Sequence, residues 1–309
     1  MQITNSILMV RPVGFRMNEQ TAVNNYFQEE IDLQNNAINK KAQEEFDAFV
    51  SVLKSKGVQI IVVEDTLEPS TPDSIFPNNW VSFHADGTVG LYPMFAENRR
   101  VERREDILET IEKEGFGIEN IMDYTSAEAE NLFLEGTGSI ILDREYKKAY
   151  CALSERADEE LFIEFCEDFD YFPVIFKANQ TVDEKRLPIY HTNVMMCIAD
   201  KFAVICLDTI DDKKERKNVI THLKNDNKEI IRISETQMHQ FAGNMLQVLG
   251  ANNTPYLVMS SAAYNSLNKG QIDSITKYCE IMHSPIETIE TCGGGSARCM
   301  MAEVFLPKV

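Results

Sequence analysis

The stretch NVMMCIADKFAVICLD, residues 193–208, contains the pattern from which the fold of this chain can be predicted. A turn residue opens a short apolar strand, a turn follows, and a second apolar strand comes after it. Four other stretches have the same order, at residues 79–93, 138–154, 244–260 and 296–307. Their starts lie about 50 to 60 residues apart, a spacing at which propeller blades and other repeat arrays recur. The pattern therefore predicts five related hairpins.

Helix-like segments lie between these hairpins. Apolar side chains recur at helical spacing over Lys40–Lys56, Arg99–Glu114, Ser154–Phe169 and Lys269–Met282. Further strands are expected at Gln59–Glu64 and Ser284–Glu290. The repeating unit is then strand, helix and hairpin. An ordinary α/β sandwich with irregular spacing would fit the same periodicity.

Length and composition are those of an ordinary globular enzyme. Hydrophobic residues make up 44% and charged residues 26% of the 309 positions, which is enough for a sizeable core. No low-complexity segment or long linker divides the chain, so we expect residues 1–309 to form a single α/β catalytic domain. The net charge of −19 repels phosphate groups, which argues against nucleic-acid and membrane partners.

Neither export nor a structural metal site is predicted. The first fifteen residues have no basic region and too short an apolar run for a signal peptide. The seven cysteines are dispersed, odd in number and without a C-x-x-C pair, which argues against a disulfide framework or a zinc site. A reducing cytoplasm is the expected location, and it would keep a catalytic thiol usable.

A glycine triplet, Gly293–Gly295, precedes Cys299 and an apolar, strand-like run over Met300–Leu306. Glycines allow close approach to a ligand, and a thiol delivered there suits a nucleophile whose pKa is lowered. Two further loop–strand junctions contain Glu135 and His191. Each residue alone has an ordinary explanation, since most free cysteines are packing residues. The prediction of a site rests on the three junctions together.

In order along the chain, Phe76-x-x-Asn79, Glu135-Gly-x-Gly, His191-x-Asn193 and Gly-Gly-Gly-x-x-x-Cys299 resemble the guanidino-group-modifying superfamily. That superfamily includes arginine deiminases, amidinotransferases, dimethylarginine hydrolases and succinylarginine dihydrolases. The resemblance covers nearly the whole chain, includes residues 152–156, and looks closest to the citrulline hydrolase branch. It implies a five-bladed α/β propeller (pentein) with ββαβ repeats around a substrate channel.

The resemblance also implies a mechanism. Cys299 is the expected nucleophile, His191 the general acid and base, and Glu135 the carboxylate partner of His191, with no metal or organic cofactor. The thiolate would attack the ureido carbon of citrulline, and His191 would protonate the departing amine and later activate water. The products would be ornithine, ammonia and carbon dioxide.

Two positions depart from the pattern typical of arginine deiminases, which have aspartates where this chain has Asn79 and Asn193. Aspartate forms charge-assisted hydrogen bonds to a guanidinium. An amide cannot neutralise that cation, but it can donate to a carbonyl oxygen and accept from an NH₂ group. The substitutions therefore favour a neutral ureido substrate, although arginine could still bind through another acid such as Asp73.

The amino-acid end of such a substrate needs partners of its own. Asn18 resembles an asparagine that contacts substrate in some relatives. Candidate cations for the carboxylate are Arg11, Arg99, Arg100, Arg156 and Arg298, of which Arg298 should point to the other face of a strand. We expect Asn18, Asp73, Asn79, Arg100 and Asn193 to bind substrate. A small-molecule amino acid is the expected partner, and a homo-oligomer is compatible with the sequence.

Two alternatives to citrulline hydrolysis stay open. One is an arginine deiminase, or an arginine or succinylarginine dihydrolase, using the same three residues. The other is a binding protein that keeps the five-bladed fold without chemistry, as ribosome anti-association factors of similar architecture do. The complete Cys, His and Glu set argues against the second alternative, and so does the acidic surface.

Overall fold

The computed structural model describes all 309 residues and shows a mixed α/β fold built from short elements. The strands, β1 to β17 in chain order, are Ser6–Arg11, Gln59–Glu64, Val81–Phe83, Thr88–Leu91, Asn120–Asp123, Ile140–Asp143, Lys148–Ala152, Phe172–Phe176, Asn179–Val182, Lys185–Pro188, Met196–Ile198, Phe202–Ile205, Glu229–Arg232, Leu246–Leu249, Pro255–Ser260, Glu280–Ser284 and Ala302–Glu303. The α-helices, α1 to α10, are Asn35–Ser55, Glu97–Arg100, Glu105–Lys113, Gly136–Ser139, Glu159–Asp168, Lys213–Asn225, Glu235–Met238, Ser261–Ser266, Lys269–Thr276 and Glu287–Gly293. Short 3₁₀ helices cover Pro77–Asn79, Thr125–Glu130, Thr192–Val194, Leu207–Thr209 and Ala251–Asn253. No helix has both the length and the hydrophobicity needed to cross a membrane.

The stretch at residues 193–208 folds as the sequence predicts. Strands β11 and β12 pair antiparallel, with Cys197 opposite Val204. Helix α6 follows, and its first turn is capped by the Asp212 side chain, which accepts from the backbone N–H groups of Lys214 and Glu215. Strand β13 then returns parallel to β12. One apolar layer of the sheet and one helix face are thereby buried together.

Five three-stranded sheets have this same arrangement of one antiparallel and one parallel pair. Their orders are β3-β4-β5, β6-β7-β8, β11-β12-β13, β14-β15-β16 and β17-β1-β2. Strands β9 and β10 form a separate hairpin. The expected α/β class is confirmed, and the arrangement of the sheets as blades of a propeller stays a prediction.

The fifth sheet differs from the expected hairpin because the two ends of the chain share it. Only Ala302–Glu303 is a strand, since Met300 and Met301 still form a turn with Ser296 and Arg298. The antiparallel partner of β17 is β1, with Ile7 opposite Glu303. The predicted strand over Met300–Leu306 was therefore too long.

Four other predicted elements were wrong in part. The helix predicted from Ser154 begins only at Glu159, after its N-cap Asp158. The single helix over Arg99–Glu114 is two helices, α2 and α3, with the buried Glu102 in the break. The helix from Lys269 ends at Thr276, because residues 280–284 form β16 parallel to β15. The predicted strand Ser284–Glu290 is mostly helix α10, whose first turn is capped by the Glu45 carboxylate of α1. A tertiary contact from a distant helix thus overrides the local pattern.

Candidate active site

Loops at the starts of three hairpins bring His191, Glu135 and Cys299 together. Nε2 of His191 lies 2.7 Å from Oε2 of Glu135. His191 and Cys299 line the same narrow cavity. All three residues are buried, with 3% exposure or less. The predicted nucleophile, acid/base and carboxylate therefore meet at one place.

Glycine at position 138 makes this convergence sterically feasible. A Cβ atom there would lie 2.4 Å from Nδ2 of Asn79 and 2.8 Å from Nδ1 of His191. Both distances are too short for real contacts, so any larger residue would displace the imidazole or the amide. Two side chains from different sheets can then pack against the same backbone.

The nucleophile lies on a turn between helix α10 and strand β17. Gly294 ends the helix with a φ of +63°, a conformation that favours glycine. The backbone N–H of Cys299 donates to the carbonyl oxygen of Ser296 at 2.9 Å, and the Tyr190 hydroxyl donates to the carbonyl oxygen of Gly294 at 2.6 Å. The thiol is thus held by a helix end and a turn, whereas the sequence predicted the start of a strand.

The pKa values of His191 and Glu135 are both lowered, which has different effects on their charges at neutral pH. Burial lowers the pKa of His191 to about 4, although its hydrogen bond to Glu135 acts in the opposite direction. Burial alone would raise the pKa of Glu135, but the charge of Arg156 and the hydrogen bond to His191 outweigh it and lower that pKa to about 2. Glu135 is therefore ionised and His191 neutral. The carboxylate fixes the ring proton on Nε2 and leaves Nδ1 as an acceptor.

Asn79 is held by a buried ion pair. Nη1 of Arg99 donates to Oδ1 of Asn79 at 2.8 Å, while the rest of the guanidinium binds Glu102 through two hydrogen bonds of 2.9 Å. Burial opposes the charge, but Glu102 and Asp73 raise the pKa of Arg99 above its usual value. A guanidinium has only donors. The oxygen of Asn79 must consequently face Arg99, which leaves the NH₂ group on the opposite side.

Two more amides surround the sulfur of Cys299. Nδ2 of Asn193 lies 3.4 Å from Sγ and Nδ2 of Asn244 lies 3.2 Å from it. Oδ1 of Asn193 is buried and has no hydrogen-bond partner. A bound substrate with an N–H group could satisfy that oxygen.

Asp73 and Arg156 supply the charges along the rest of the cavity. Oδ2 of Asp73 accepts from Asn18 at 2.8 Å and from Thr21 at 3.1 Å, whereas Oδ1 has no partner. Burial raises the pKa of Asp73, against the charge of Arg99. Arg156 lies 3.6 Å from Glu135, donates to Asn24 and to the carbonyl oxygen of Thr21, and lies over the Tyr190 ring.

Residues 18–28 form a covering segment across this cavity. Besides the Asn18 contact to Asp73, Nδ2 of Asn25 lies 3.4 Å from the carbonyl oxygen of Gly293. Nε2 of Gln28 donates to the carbonyl oxygen of Cys292 at 3.0 Å. The segment is therefore attached to the end of helix α10, just before the turn that carries the nucleophile.

Most of the expected substrate-binding residues lie at this cavity. Asp73 and Asn79 line it, together with Arg99 and Arg156 from the set of candidate cations. Asn18 and Asn193 contact lining residues.

The structure does not bring the other three candidate cations to the cavity, since each has partners elsewhere: Arg11 binds Asp47, Arg100 binds the carbonyl oxygen of Met94, and Arg298 binds Glu303. No group of three or more His, Cys, Asp and Glu side chains is placed to hold a metal ion.

Sequence reasoning missed Asn244 and Tyr190. Asn244 begins the fourth hairpin stretch, just as Asn79 and Asn193 begin the first and third. Since equivalent ends of the repeats carry the other site residues, that position was a usable signal. Tyr190 precedes the His191 motif by one residue, and nothing in the sequence marks it.

A sequence model of one protein family, described as eukaryotic N,N dimethylarginine dimethylhydrolase, matches residues 11–306. No curated protein matches the chain significantly in sequence. The fold is similar to that of several solved structures at low sequence identity. One is the apo form of ArgZ, an arginine dihydrolase from the ornithine-ammonia cycle in Cyanobacteria, with a TM-score of 0.74 and 17% identity over 98% of this chain.

Two further structures extend the comparison. The binary complex of an AgrE mutant with L-arginine has a TM-score of 0.72 and 17% identity over 98% of this chain. The adduct of a dimethylarginine dimethylaminohydrolase with S-methyl-L-thiocitrulline has a TM-score of 0.63 and 14% identity, and the match covers 98% of this chain and 100% of the other. The chain spans about two fifths of the ArgZ and AgrE chains, 41% and 40%, but 99% of the N-terminal domain of ArgZ bound to its substrate. These likenesses establish the fold, and the family match covers nearly the whole sequence. The chain therefore belongs to the N,N dimethylarginine dimethylhydrolase family, within the guanidino-group-modifying pentein superfamily.

Proposed function

We propose that this protein is a cysteine-dependent hydrolase that acts on the ureido carbon of citrulline or a close derivative. The observation that carries the proposal is the fixed orientation of Asn79. Its oxygen accepts from Arg99 and one of its N–H groups donates to Oδ1 of Asn78, so its second N–H is the donor left for a ligand. A ureido group has an oxygen that accepts such donors, whereas a guanidinium has donors only.

The charges near Asn79 support the same choice. Arg99 is a resident guanidinium that lines the cavity beside Asn79. A second guanidinium in that part of the cavity would lose its hydration and face a like charge. A neutral ureido group avoids both costs.

The three reactive residues divide the chemistry in the way their contacts allow. The Cys299 thiolate attacks the ureido carbon, the bond to the ornithine nitrogen breaks, and a carbamoyl thioester stays on the sulfur. The proton for the departing amine comes from the imidazole of His191, whose Nδ1 atom takes it from the Cys299 thiol as the thiolate forms. His191 then accepts a proton from water, which cleaves the thioester to carbamate, and this breaks down to ammonia and carbon dioxide. Glu135 stabilises each transient imidazolium.

The amino-acid end of the substrate would bind toward the covering segment. The guanidinium of Arg156 lines the cavity and can bind the α-carboxylate, and the unpartnered Oδ1 of Asp73 can accept from the α-ammonium. Asn18 then acts through Asp73 by holding its other oxygen.

Hydrolysis of arginine or dimethylarginine is the second candidate. The free carboxylate oxygen of Asp73 favours it, because a buried acceptor could also bind a guanidinium. The family match and the similarity to ArgZ and AgrE point in that direction as well.

A product assay separates these candidates. The protein is incubated in parallel with citrulline, arginine and asymmetric dimethylarginine, and ornithine, citrulline, ammonia and dimethylamine are measured, with Cys299→Ala as the control. Ornithine and ammonia from citrulline alone support the proposal. Citrulline from arginine or dimethylarginine, or ornithine from arginine, with no reaction of citrulline itself, would replace it with a deiminase, a dimethylarginine hydrolase or an arginine dihydrolase.

We also propose that residues 1–309 form one catalytic domain in which the five sheets are propeller blades around this cavity. The contacts of Glu135, His191 and Cys299 across three sheets support that arrangement. All seven cysteines are buried and unpaired, which suits a reducing compartment such as the cytoplasm.

A further inference from the structure

Asn244 lies at the centre of the nucleophile's hydrogen bonds. It follows helix α7, precedes β14, and is completely buried. Its Nδ2 atom lies 3.2 Å from Sγ of Cys299 and 3.0 Å from the carbonyl oxygen of Asn193. Its Oδ1 atom accepts from the backbone N–H of Arg298 at 3.0 Å. One side chain therefore contacts the sulfur, the residue before it, and the neighbouring sheet.

These contacts determine which end of the amide faces the sulfur. The backbone N–H of Arg298 can only donate, and the carbonyl oxygen of Asn193 can only accept. The oxygen of Asn244 must face Arg298, and the NH₂ group must face Asn193 and Cys299. A flipped amide would lose both backbone partners.

Each charged or titratable group around the sulfur has a hydrogen-bond partner other than the sulfur. His191 is bound to Glu135, Arg99 to Glu102, and Arg156 to Asn24. The Arg298 guanidinium binds Glu303 and the carbonyl oxygen of Met301, the Tyr190 hydroxyl binds Gly294, and Asp73 is an acid bound to Asn18. The direct polar partners of Sγ are the amides of Asn193 and Asn244.

We propose that Asn244 is a catalytic residue that stabilises the thiolate form of Cys299 through its Nδ2–H donor. A hydrogen bond to an ionised acceptor is much stronger than one to the neutral group, so the donor favours the thiolate over the thiol. Asn193 shares this role only in part, because its free oxygen is available to substrate. Asn244 has no such free atom, because its amide also binds the carbonyl oxygen of Asn193 and the backbone N–H of Arg298.

Alkylation of Cys299 by iodoacetamide as a function of pH tests the proposal without any substrate. The rate is followed by mass spectrometry of the peptide that contains Cys299, in the full chain, so the other six cysteines do not interfere. Asn244→Asp is the decisive variant. It keeps an oxygen for the Arg298 N–H, but it replaces the donor facing the sulfur with a carboxylate oxygen.

We expect the pH midpoint of alkylation to rise by about one to two units in Asn244→Ala, and by more in Asn244→Asp, where a negative charge opposes the thiolate. The exposed Asn252→Asp serves as a control for the added charge and should leave the midpoint unchanged. If Asn244→Asp has the wild-type midpoint, Asn244 is a structural link to Arg298 and the proposal is overturned. Because no substrate is used, this outcome is independent of whether citrulline is hydrolysed.

Discussion

Replacing Glu135 with glutamine should slow turnover strongly, because the imidazolium that forms on His191 loses its carboxylate. The hydrogen bond between Nε2 of His191 and Glu135 is 2.7 Å long and completely buried. A hydrogen bond that involves a charged group contributes about 1.5–3 kcal/mol, and each 1.4 kcal/mol changes a rate roughly tenfold. We therefore expect kcat to fall by roughly 10- to 150-fold in Glu135→Gln, with a smaller change in KM.

The change also affects Arg156, which would lose the carboxylate that lies 3.6 Å away. Removing one partner of a buried ion pair lowers the free energy of unfolding by about 3–5 kcal/mol. The remaining contacts of Arg156 to Asn24 and Thr21 should keep this loss near the lower limit. Circular dichroism and thermal unfolding of the variant, compared with wild type, determine whether it is folded at the assay temperature.

A double-mutant cycle with His191→Ala provides the refutation. If the two residues act as one unit, the double variant should be only slightly slower than His191→Ala alone. Steady-state kinetics on the best substrate, with the chemical step checked by single-turnover measurements, gives the three rates. Fully additive losses would show that Glu135 and His191 have separate roles, and the coupled mechanism would have to be abandoned.

Three further predictions concern the thiol, the amides and pH. Cys299→Ala should abolish turnover and leave the unfolding temperature nearly unchanged, whereas Cys292→Ala should remain active; the opposite result in the product assay would identify Cys292 as the nucleophile. Asn79→Asp combined with Asn193→Asp should raise KM for citrulline by roughly tenfold, since a hydrogen bond of about 1 kcal/mol or more is lost. The same double change should improve arginine binding. If the wild-type protein prefers arginine in steady-state kinetics, the proposal that these amides select a ureido group is wrong. The pKa of His191 falls from 6.5 to about 4 on folding, so between these pH values the unfolded state binds a proton that the folded state does not. The free energy of unfolding should therefore fall by about 3 kcal/mol as the pH is lowered from 6.5 to 4. Urea unfolding at several pH values should show that loss in wild type and a smaller one in His191→Gln.

The repeat could be predicted from the sequence because each hairpin encodes its own order of turn and apolar residues. The hairpin around Asp86 and Gly87 is one example, and β3 and β4 form on either side of it. The same local reasoning failed at α10. There the sequence Glu287–Gly293 becomes helical because Glu45 caps its first turn, and Glu45 lies more than 240 residues away.

The candidate site was accessible to sequence reasoning where a motif fixes the chemistry, as it does for Cys299, His191 and Glu135. It was less accessible where the function of a side chain depends on its partner. Arg99 and Arg100 are neighbours in one short helix, yet only Arg99 reaches the cavity, because Glu102 and Asn79 hold its guanidinium there. Asn244 contacts the sulfur from a different sheet, and its role depends on a distance that no local pattern encodes.

The pairing of β1 with β17 bears on when this protein can first become active. Cys299 is three residues before β17, and β17 has its place only after it pairs with β1, at Leu8 and Ala302. The paired residues Leu8 and Ala302 are 294 positions apart in the sequence, and contacts between such distant residues form slowly because a long loop has to close first. The reactive thiol is thus placed by a long-range contact, so a chain in which β1 and β17 are not paired would carry no working nucleophile.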